Sequence, residues 1–152
     1  MEREFMLLAI EEALKAKKAD EVPIGAVIVK DGKVIAKAHN KVEKKQDATF
    51  HAEITAIKKA CKKLKSWRLS GTEMYVTVEP CAMCAGAIAN ARIDKVYFGA
   101  REKKSGCAES KYPVLKDNGL NWSTECEGGI EEETCSAILK NYFKNKREKN
   151  LD

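Results

Sequence analysis

Two short motifs in this sequence contain side chains that can bind a metal or carry a proton. His51 and Glu53 form a His-x-Glu motif, and Cys81 and Cys84 form a Cys-x-x-Cys motif directly after Pro80. An imidazole and two thiolates are ligands that zinc prefers. A catalytic zinc site uses three protein ligands and leaves a position for water, whereas a structural site normally uses four. The two motifs together therefore indicate a catalytic metal site.

The third ligand has two candidates, because the chain contains two histidines, His39 and His51. Glu53 favours His51, since a carboxylate two residues away lies close to the metal without needing to bind it. Such a carboxylate can accept a proton from water and pass it to a substrate. We therefore predict one Zn²⁺ ion per chain, with His51, Cys81 and Cys84 as its ligands and Glu53 as the catalytic residue.

A different class of function is open to the cysteine motif by itself. A Cys-x-x-Cys pair between a strand and a helix is also where thioredoxin-like redox pairs lie, and a structural zinc protein would use similar residues. A redox pair would purify without stoichiometric metal, which separates a redox protein from a zinc protein. The other cysteines show no ligand spacing, and we interpret them as small core or surface thiols: Cys61, Cys107, Cys126 and Cys135.

The hydrophobic pattern predicts helices that alternate with strands, and both motifs fall at helix starts. Helices are predicted over residues 2–18, from about 51, over 82–91 and from about 130 to 147. Strands are predicted over residues 23–29, 34–36, 74–78, 95–99 and 122–126, with Asp31-Gly32 as a hairpin turn. Residues 40–50 and 100–121 should be mostly irregular, apart from one short helix in the second segment. This order indicates a layered α/β domain.

One helix should bury a defined stripe. In the helix that begins near residue 51, apolar side chains recur at heptad-like spacing and should pack inward: Ile54, Ile57, Cys61 and Leu64.

Length and composition favour one domain of ordinary globular type. The chain has 152 residues, of which 44% are hydrophobic and 34% are charged. No apolar run approaches the roughly 20 residues that a membrane helix needs, and the N-terminus does not resemble a signal peptide. We therefore expect a cytoplasmic protein with no membrane partner. The net charge of +5 is compatible with nucleic acid but equally with a solvated basic surface.

The joint pattern H-x-E…P-C-x-x-C is the signature of zinc nucleobase deaminases, and the sequence resembles the bacterial tRNA adenosine deaminases of the cytidine deaminase superfamily. The resemblance covers most of the chain. It rests on V-P-I-G-A-V at 22–27, A-H-N at 38–40, H-A-E-I at 51–54, M-Y-V-T-V-E-P-C-A-M-C-A-G-A at 74–87, A-R-I at 91–93 and F-G-A-R at 98–101.

This resemblance implies a fold, an assembly and an activity. The fold is the three-layer α/β/α cytidine deaminase fold, a five-stranded mixed sheet with helices on both faces, formed here by a single domain over residues 1–152. The assembly is a homodimer, for which the small-residue helix at 82–91 suits close packing. The activity is the hydrolytic conversion of the wobble adenosine of tRNA to inosine, with attack at C6 of the flipped adenine.

The resemblance also implies roles for individual residues. Glu53 would protonate N1 and then the leaving ammonia, while His51, Cys81 and Cys84 hold the zinc. The substrate-binding residues would be Asn40, which contacts the target nucleotide, and Ala52 and Cys81, whose backbone amides steady the reacting oxygen.

The end of the last helix resembles the basic aromatic C-terminus of the same enzymes. Tyr142 fits a buried stripe with Cys135 and Ile138, so the predicted contacts with the tRNA anticodon stem-loop are Phe143, Lys144, Lys146 and Arg147. The alternative interpretation is a plain amphipathic helix end, with aromatics on the core and basic groups complementing the helix dipole.

Several segments depart from the family pattern, and all of them lie where nucleic acid should bind. The departures are Ala48 and Phe50 in D-A-T-F, Glu102 after Arg101, Trp122 and Ser123 after Asn121, and the run Lys111-Tyr112-Pro113. The alternative substrate is therefore free guanine or another small nucleobase or nucleoside, which needs the zinc motif but no anticodon contacts.

Overall fold

The computed structural model describes residues 2–150, within which the chain forms five helices and five strands. The helices are α1 (Glu2–Lys18), α2 (Val42–Lys45), α3 (Ala52–Leu64), α4 (Ala82–Asn90) and α5 (Glu132–Asn150). The strands are β1 (Gly25–Lys30), β2 (Lys33–His39), β3 (Thr72–Val78), β4 (Lys95–Ala100) and β5 (Glu125–Gly128). In this part of the chain no helix is long and apolar enough to cross a lipid bilayer.

The strands form one mixed sheet in the order β2-β1-β3-β4-β5. β1 pairs antiparallel with β2 and β3, whereas β3, β4 and β5 run parallel. Alternate residues of β1 enter opposite cores: Ala26 and Ile28 pack with α3 and α4, and Val27 and Val29 pack with α1 and α5. The sheet therefore lies between two helical layers, and the predicted α/β/α fold is confirmed.

Two glycines explain the first hairpin and its packing against α1. Asp31 and Gly32 have φ of 50° and 75°, as a two-residue turn of the hairpin type requires. Gly25 lies under α1, where an added Cβ would come within 2.0 Å of the carbonyl oxygen of Ala9. Only a residue without a side chain lets α1 approach β1 this closely.

The buried stripe of α3 differs from the predicted one. Ala52, Ala56 and Ala60 are fully buried, while Ile57 and Leu64 are only partly buried at the side of the same core. Because α3 packs closely over β1 and β2, the central positions take small side chains and the larger ones flank them. The heptad-like stripe therefore identified the edge of the contact and not its centre.

The segment between β4 and β5 was predicted less well. No helix forms in residues 101–124, so the short helix expected there is wrong, and β5 begins at Glu125 rather than at Trp122. Trp122 instead donates from Nε1 to the carbonyl oxygen of Ile93 at 3.1 Å, and Thr124 donates to the same oxygen at 2.9 Å. A third difference is α2, a short helix inside the segment expected to be irregular.

Candidate active site

The two sequence motifs meet where two helices begin. His51 is the N-cap of α3, and Cys81 is the N-cap of α4, with Cys84 one turn further along. The Nδ1 atom of His51 lies 3.7 Å from Sγ of Cys81 and 3.5 Å from Sγ of Cys84. All three potential ligand atoms lie within 4.8 Å of one another. The fold thus brings together one nitrogen and two sulfur donors from segments about thirty residues apart.

The pKa values of the two thiols in this group are shifted in opposite directions. Hydrogen bonds from Cys84 and His51 lower the pKa of Cys81 to about 4, which favours its thiolate form. The contact with that thiolate, together with burial, raises the pKa of Cys84. The hydrogen bond to Cys81 likewise raises the pKa of His51. A divalent cation bound here would relieve the repulsion that keeps the second thiol protonated.

Glu53 lies beside this group with one oxygen unused. Its side chain is only 4% exposed, and burial raises its pKa to about 7. Within the described residues, Oε1 has no hydrogen-bond partner. A buried carboxylate oxygen without a partner is costly, so a water or a substrate proton is needed to satisfy it. A carboxyl group whose pKa is near neutrality is suited to both taking and giving a proton.

The donor set fits zinc. One imidazole nitrogen and two thiol sulfurs are a ligand combination found in catalytic zinc sites, where the fourth position is left to water or substrate. The unsatisfied oxygen of Glu53 lies next to this group and supplies a partner for such a water. His39, the other candidate ligand, is occupied elsewhere, because its Nδ1 lies 3.3 Å from Oε1 of Glu12.

A cavity of about 290 Å³ opens beside His51. Two of the predicted substrate contacts, Asn40 and Ala52, line this cavity together with His51. The third, Cys81, belongs to the group formed with His51 and Cys84. The other lining residues come from the segment before β1 and from the region of α2: Glu21, Val22, Ile24, Val42 and Glu43.

Sequence reasoning missed two buried carboxylates, of which only Glu21 lines this cavity. Glu21 accepts hydrogen bonds from the backbone N–H groups of Glu43 and Lys44 at 2.9 and 2.7 Å, and so holds α2 as a cavity wall. Glu12 binds His39, the neighbour of Asn40. Glu12 lies in the amphipathic pattern of α1 and Glu21 follows a charged segment, so neither their burial nor their partners could be read from the sequence.

A family model described as MafB19-like deaminase matches residues 2–147. The tRNA-specific adenosine deaminase of Bacillus subtilis (strain 168) is 46% identical over 145 residues, which cover 95% of this chain and 90% of the relative. The chain belongs to the MafB19-like deaminase family. The resemblance inferred from the motifs is thereby confirmed.

Two solved structures resemble this deaminase over different extents. One comes from studies of A-to-I editing by tRNA:A34 deaminases at the wobble position of transfer RNA; it has a TM-score of 0.86 and 44% identity, covering 90% of this chain and 99% of that one. The other is guanine deaminase from Bacillus subtilis, with a TM-score of 0.62 and 42% identity, covering 71% of this chain and 68% of that one.

The C-terminal helix of this deaminase lies beside the active-site cavity. A second cavity of about 700 Å³ is lined by Tyr142, Phe143 and Lys146, and it shares Glu21, Val22 and Glu43 with the cavity at His51. Tyr142 is buried, as expected, whereas Phe143 is 44% exposed.

The basic residues of α5 do not share one environment. Lys146 pairs with Asp20 at 2.8 Å, and Lys144 is exposed to solvent. Arg147 lines a different groove together with Phe143, Lys140 and Arg101. The four predicted nucleic-acid contacts therefore face more than one surface of the helix, and Phe143 borders both grooves.

Two of the departures from the family pattern have structural roles. Trp122 anchors the segment before β5 through its bond to Ile93. The ring of Phe50 contacts α2, with Nζ of Lys45 lying 5.8 Å from the ring centroid. These two side chains therefore contact nearby segments, and neither belongs to the group formed by His51, Cys81 and Cys84.

Proposed function

We propose that this deaminase hydrolyses the wobble adenosine of tRNA to inosine with the help of one zinc ion per chain. The observation that carries the proposal is the buried, unpartnered oxygen of Glu53 beside the group formed by His51, Cys81 and Cys84. The similarity along nearly the whole chain to tRNA-specific adenosine deaminases supports the substrate.

In this mechanism His51, Cys81 and Cys84 would hold the zinc ion. Bound zinc supplies Lewis acidity, which lowers the pKa of water. Glu53 accepts one proton from the attacking water and delivers it to N1 of adenine as the C6–O bond forms. It then takes the second proton from the new C6 hydroxyl and passes it to the amine, so that C6=O forms as the C6–N bond breaks and adenosine and water become inosine and ammonia. The raised pKa of Glu53, about 7, allows the side chain to alternate between both protonation states.

The remaining site residues orient the base. Asn40 and Ala52 line the cavity at His51, so they are placed to contact a nucleoside that enters it. A side-chain amide can both donate and accept hydrogen bonds, which suits Asn40 to the target nucleotide. The backbone amides of Ala52 and Cys81 lie at the starts of α3 and α4, where free N–H groups and the helix dipole favour a developing negative charge.

An adenosine in an anticodon loop must leave its stack to enter a cavity of about 290 Å³. The adjoining larger cavity, with Phe143 exposed at its edge, could receive a neighbouring nucleotide. Unpaired bases stack on aromatic side chains, and lysine or arginine residues pair with phosphates. We therefore assign the anticodon stem-loop contacts to Phe143, Lys144, Lys146 and Arg147.

A second substrate class is favoured by one specific observation. The guanine deaminase structure shares 42% identity over 71% of this chain, although its TM-score of 0.62 is lower. A direct assay separates the two: the protein is incubated with a synthetic anticodon stem-loop, free guanine, adenosine and cytidine in parallel. We expect inosine in the stem-loop and no turnover of free guanine. Guanine turnover without inosine formation would contradict the tRNA assignment.

We further propose that residues 1–152 form one catalytic domain that assembles as a homodimer. The outward face of α4 carries the exposed Ala82 and Met83, and an added Cβ at Gly86 would meet no atom within 4 Å. A second copy of this small-residue surface could approach closely. Gly86→Lys should fold, because its site is open, but should convert a dimeric parent to a monomer in light scattering. A monomeric parent at micromolar concentration would contradict the assembly.

The same proposal places the enzyme in the cytoplasm, with its tRNA substrate. In the described part of the chain, none of the six cysteines forms a disulfide, which suits a reducing compartment.

A further inference from the structure

Glu79 is a buried carboxylate at the end of β3, two residues before Cys81. It is only 3% exposed. Its oxygens accept hydrogen bonds from neutral groups of one distant segment: the backbone N–H groups of Glu102 (3.1 Å), Ala108 (3.2 Å), Glu109 (2.9 Å) and Ser110 (2.8 Å), and the hydroxyl of Ser110. Residues 102–110, which we name the anchored loop, are therefore wrapped around a single side chain.

The backbone of the anchored loop passes very close to this carboxylate. An added Cβ at Gly106 would lie 2.4 Å from Cδ of Glu79 and 2.4 Å from the carbonyl oxygen of Glu102. The next residue, Cys107, donates its backbone N–H to the carbonyl oxygen of Pro80 at 2.8 Å. The loop thus holds two consecutive residues, Glu79 by its side chain and Pro80 by its backbone.

The chain that leads into Cys81 depends on these bonds. Cys81 is the N-cap of α4 with extended backbone angles, φ −76° and ψ 178°, so its own position precedes the regular helix. The carbonyl oxygen of Cys81 accepts the backbone N–H of Ala85 at 2.8 Å, whereas the direction from which the chain enters the helix is set by the residues before the cap. Those residues are Glu79-Pro80, held on one side by the bond from the Glu79 N–H to Ala100 and on the other by the anchored loop.

We propose that Glu79 is a positioning residue for the metal site: through the anchored loop it fixes the Glu79-Pro80 turn and thereby the sulfur of Cys81. Glu79 binds no metal in this arrangement, and its effect reaches the metal only through backbone geometry. Partners that orient metal ligands commonly change metal affinity by about 10–100-fold when they are removed. The inference rests on the zinc binding proposed above.

The test measures how fast zinc leaves the protein. Parent and Glu79→Gln proteins are purified with zinc and mixed with excess 4-(2-pyridylazo)resorcinol, and zinc transfer is followed by absorbance. An amide at position 79 keeps the shape but presents an N–H₂ group to backbone N–H donors. We expect stoichiometric zinc at the start and release that is roughly 10–100-fold faster than in the parent. Hydrogen exchange at Ala108, Glu109 and Ser110 should accelerate in the same variant.

A matched control removes a buried carboxylate elsewhere. Glu12 is also buried, but it binds Lys15 and His39 and does not touch the Glu79-Pro80 turn. Glu12→Gln should release zinc at the parental rate. In the cobalt-substituted proteins, the d–d absorption bands should shift in Glu79→Gln and remain unchanged in Glu12→Gln, because only the first alters ligand geometry.

Each remaining outcome decides the question. If Glu79→Gln releases zinc at the parental rate although hydrogen exchange in the loop is faster, then Glu79 anchors the loop without positioning the ligand. If zinc release accelerates equally in Glu12→Gln, the effect is general destabilisation. If Glu79→Gln does not fold, Ser110→Ala decides, since it removes one hydrogen bond and should speed release by about 2–5-fold; no change there overturns the proposal. A parent protein without zinc would instead refute the metal assignment itself.

Discussion

Lys146 Nζ donates to Oδ2 of Asp20 at 2.8 Å and ties the C-terminal helix to the loop after α1. The bond lowers the pKa of the Asp20 carboxyl and raises that of the Lys146 amine. Both side chains line the cavity next to the active site. The positive charge of Lys146 is therefore partly neutralised at the surface where a phosphate would bind, unlike that of the exposed Lys144.

The ion pair between Lys146 and Asp20 predicts how strongly single substitutions should change stem-loop binding. Lys144→Ala should weaken binding of the anticodon stem-loop and reduce the slope of log K against log salt by about one. Lys146→Ala should have a smaller effect, and Asp20→Asn should strengthen binding because it frees Lys146. Titrations at several salt concentrations measure this, with zinc content and thermal stability expected to stay unchanged. If Asp20→Asn weakens binding, Lys146 does not contact the nucleic acid.

Replacing Lys144, Lys146 and Arg147 together with alanine should lower stem-loop affinity more than any single change and flatten its salt dependence. Deamination of the stem-loop should fall while zinc content is retained. Binding equal to that of the parent at every salt concentration would contradict the C-terminal contacts and favour the small-base substrate.

Glu53→Gln should abolish nearly all turnover and preserve the metal. General acid–base catalysis contributes about 10²–10⁴-fold, and here one carboxylate serves several proton transfers, so the loss should reach at least that range. Stability should not decrease, since an amide is less costly to bury than a carboxylate with an unpartnered oxygen. Inosine formation, elemental zinc analysis and thermal denaturation are measured together. A variant that loses zinc and recovers activity when zinc is restored would show that Glu53 is structural.

Each half of the group formed by His51, Cys81 and Cys84 could be predicted because its signals are local. Spacing of two or three residues at a helix start places His51 beside Glu53, and Cys81 near Cys84, whatever the rest of the fold does. Short runs rich in β-branched and apolar residues similarly identified β1 and β3, since such a run depends only on neighbours in sequence.

The buried carboxylates near the site, Glu79 and Glu21, could not be predicted to have this role, because their partners are backbone groups far along the chain. Glu79 binds N–H groups 23 to 31 residues away, and Glu21 binds those 22 and 23 residues away. Every residue type except proline provides a backbone N–H, so no sequence pattern marks the donor. The start of β5 was misplaced for a related reason: Trp122 is strand-like in composition but is held by a long-range bond to Ile93.

Zinc retention should depend on specific cysteines. Cys81→Ser and Cys84→Ser should each lose most of the zinc, because a hydroxyl replaces a thiolate ligand. Cys126→Ser is the matched control, since Cys126 is a partly buried free thiol outside the metal-binding group, and it should keep one zinc per chain. Elemental analysis after purification without added metal gives the result. An active parent that contains no metal would exclude the zinc mechanism and return the Cys-x-x-Cys motif to redox chemistry.

Glu12 should make the stability of the protein depend on acid pH. Burial would raise the pKa of this carboxyl, but hydrogen bonds and charge interactions with Lys15 and His39 outweigh burial and lower the pKa below 4.5. A carboxyl with a lowered pKa in the folded state stabilises that state at pH values above its unfolded pKa, and this contribution disappears as the pH falls through the folded value. Urea denaturation of the parent and Glu12→Gln should therefore differ most at pH 6, with the parent more stable, and the difference should shrink towards pH 3.5. Parallel loss of stability in both proteins over this range would mean that the ionised Glu12 carboxylate does not stabilise the link between α1 and His39.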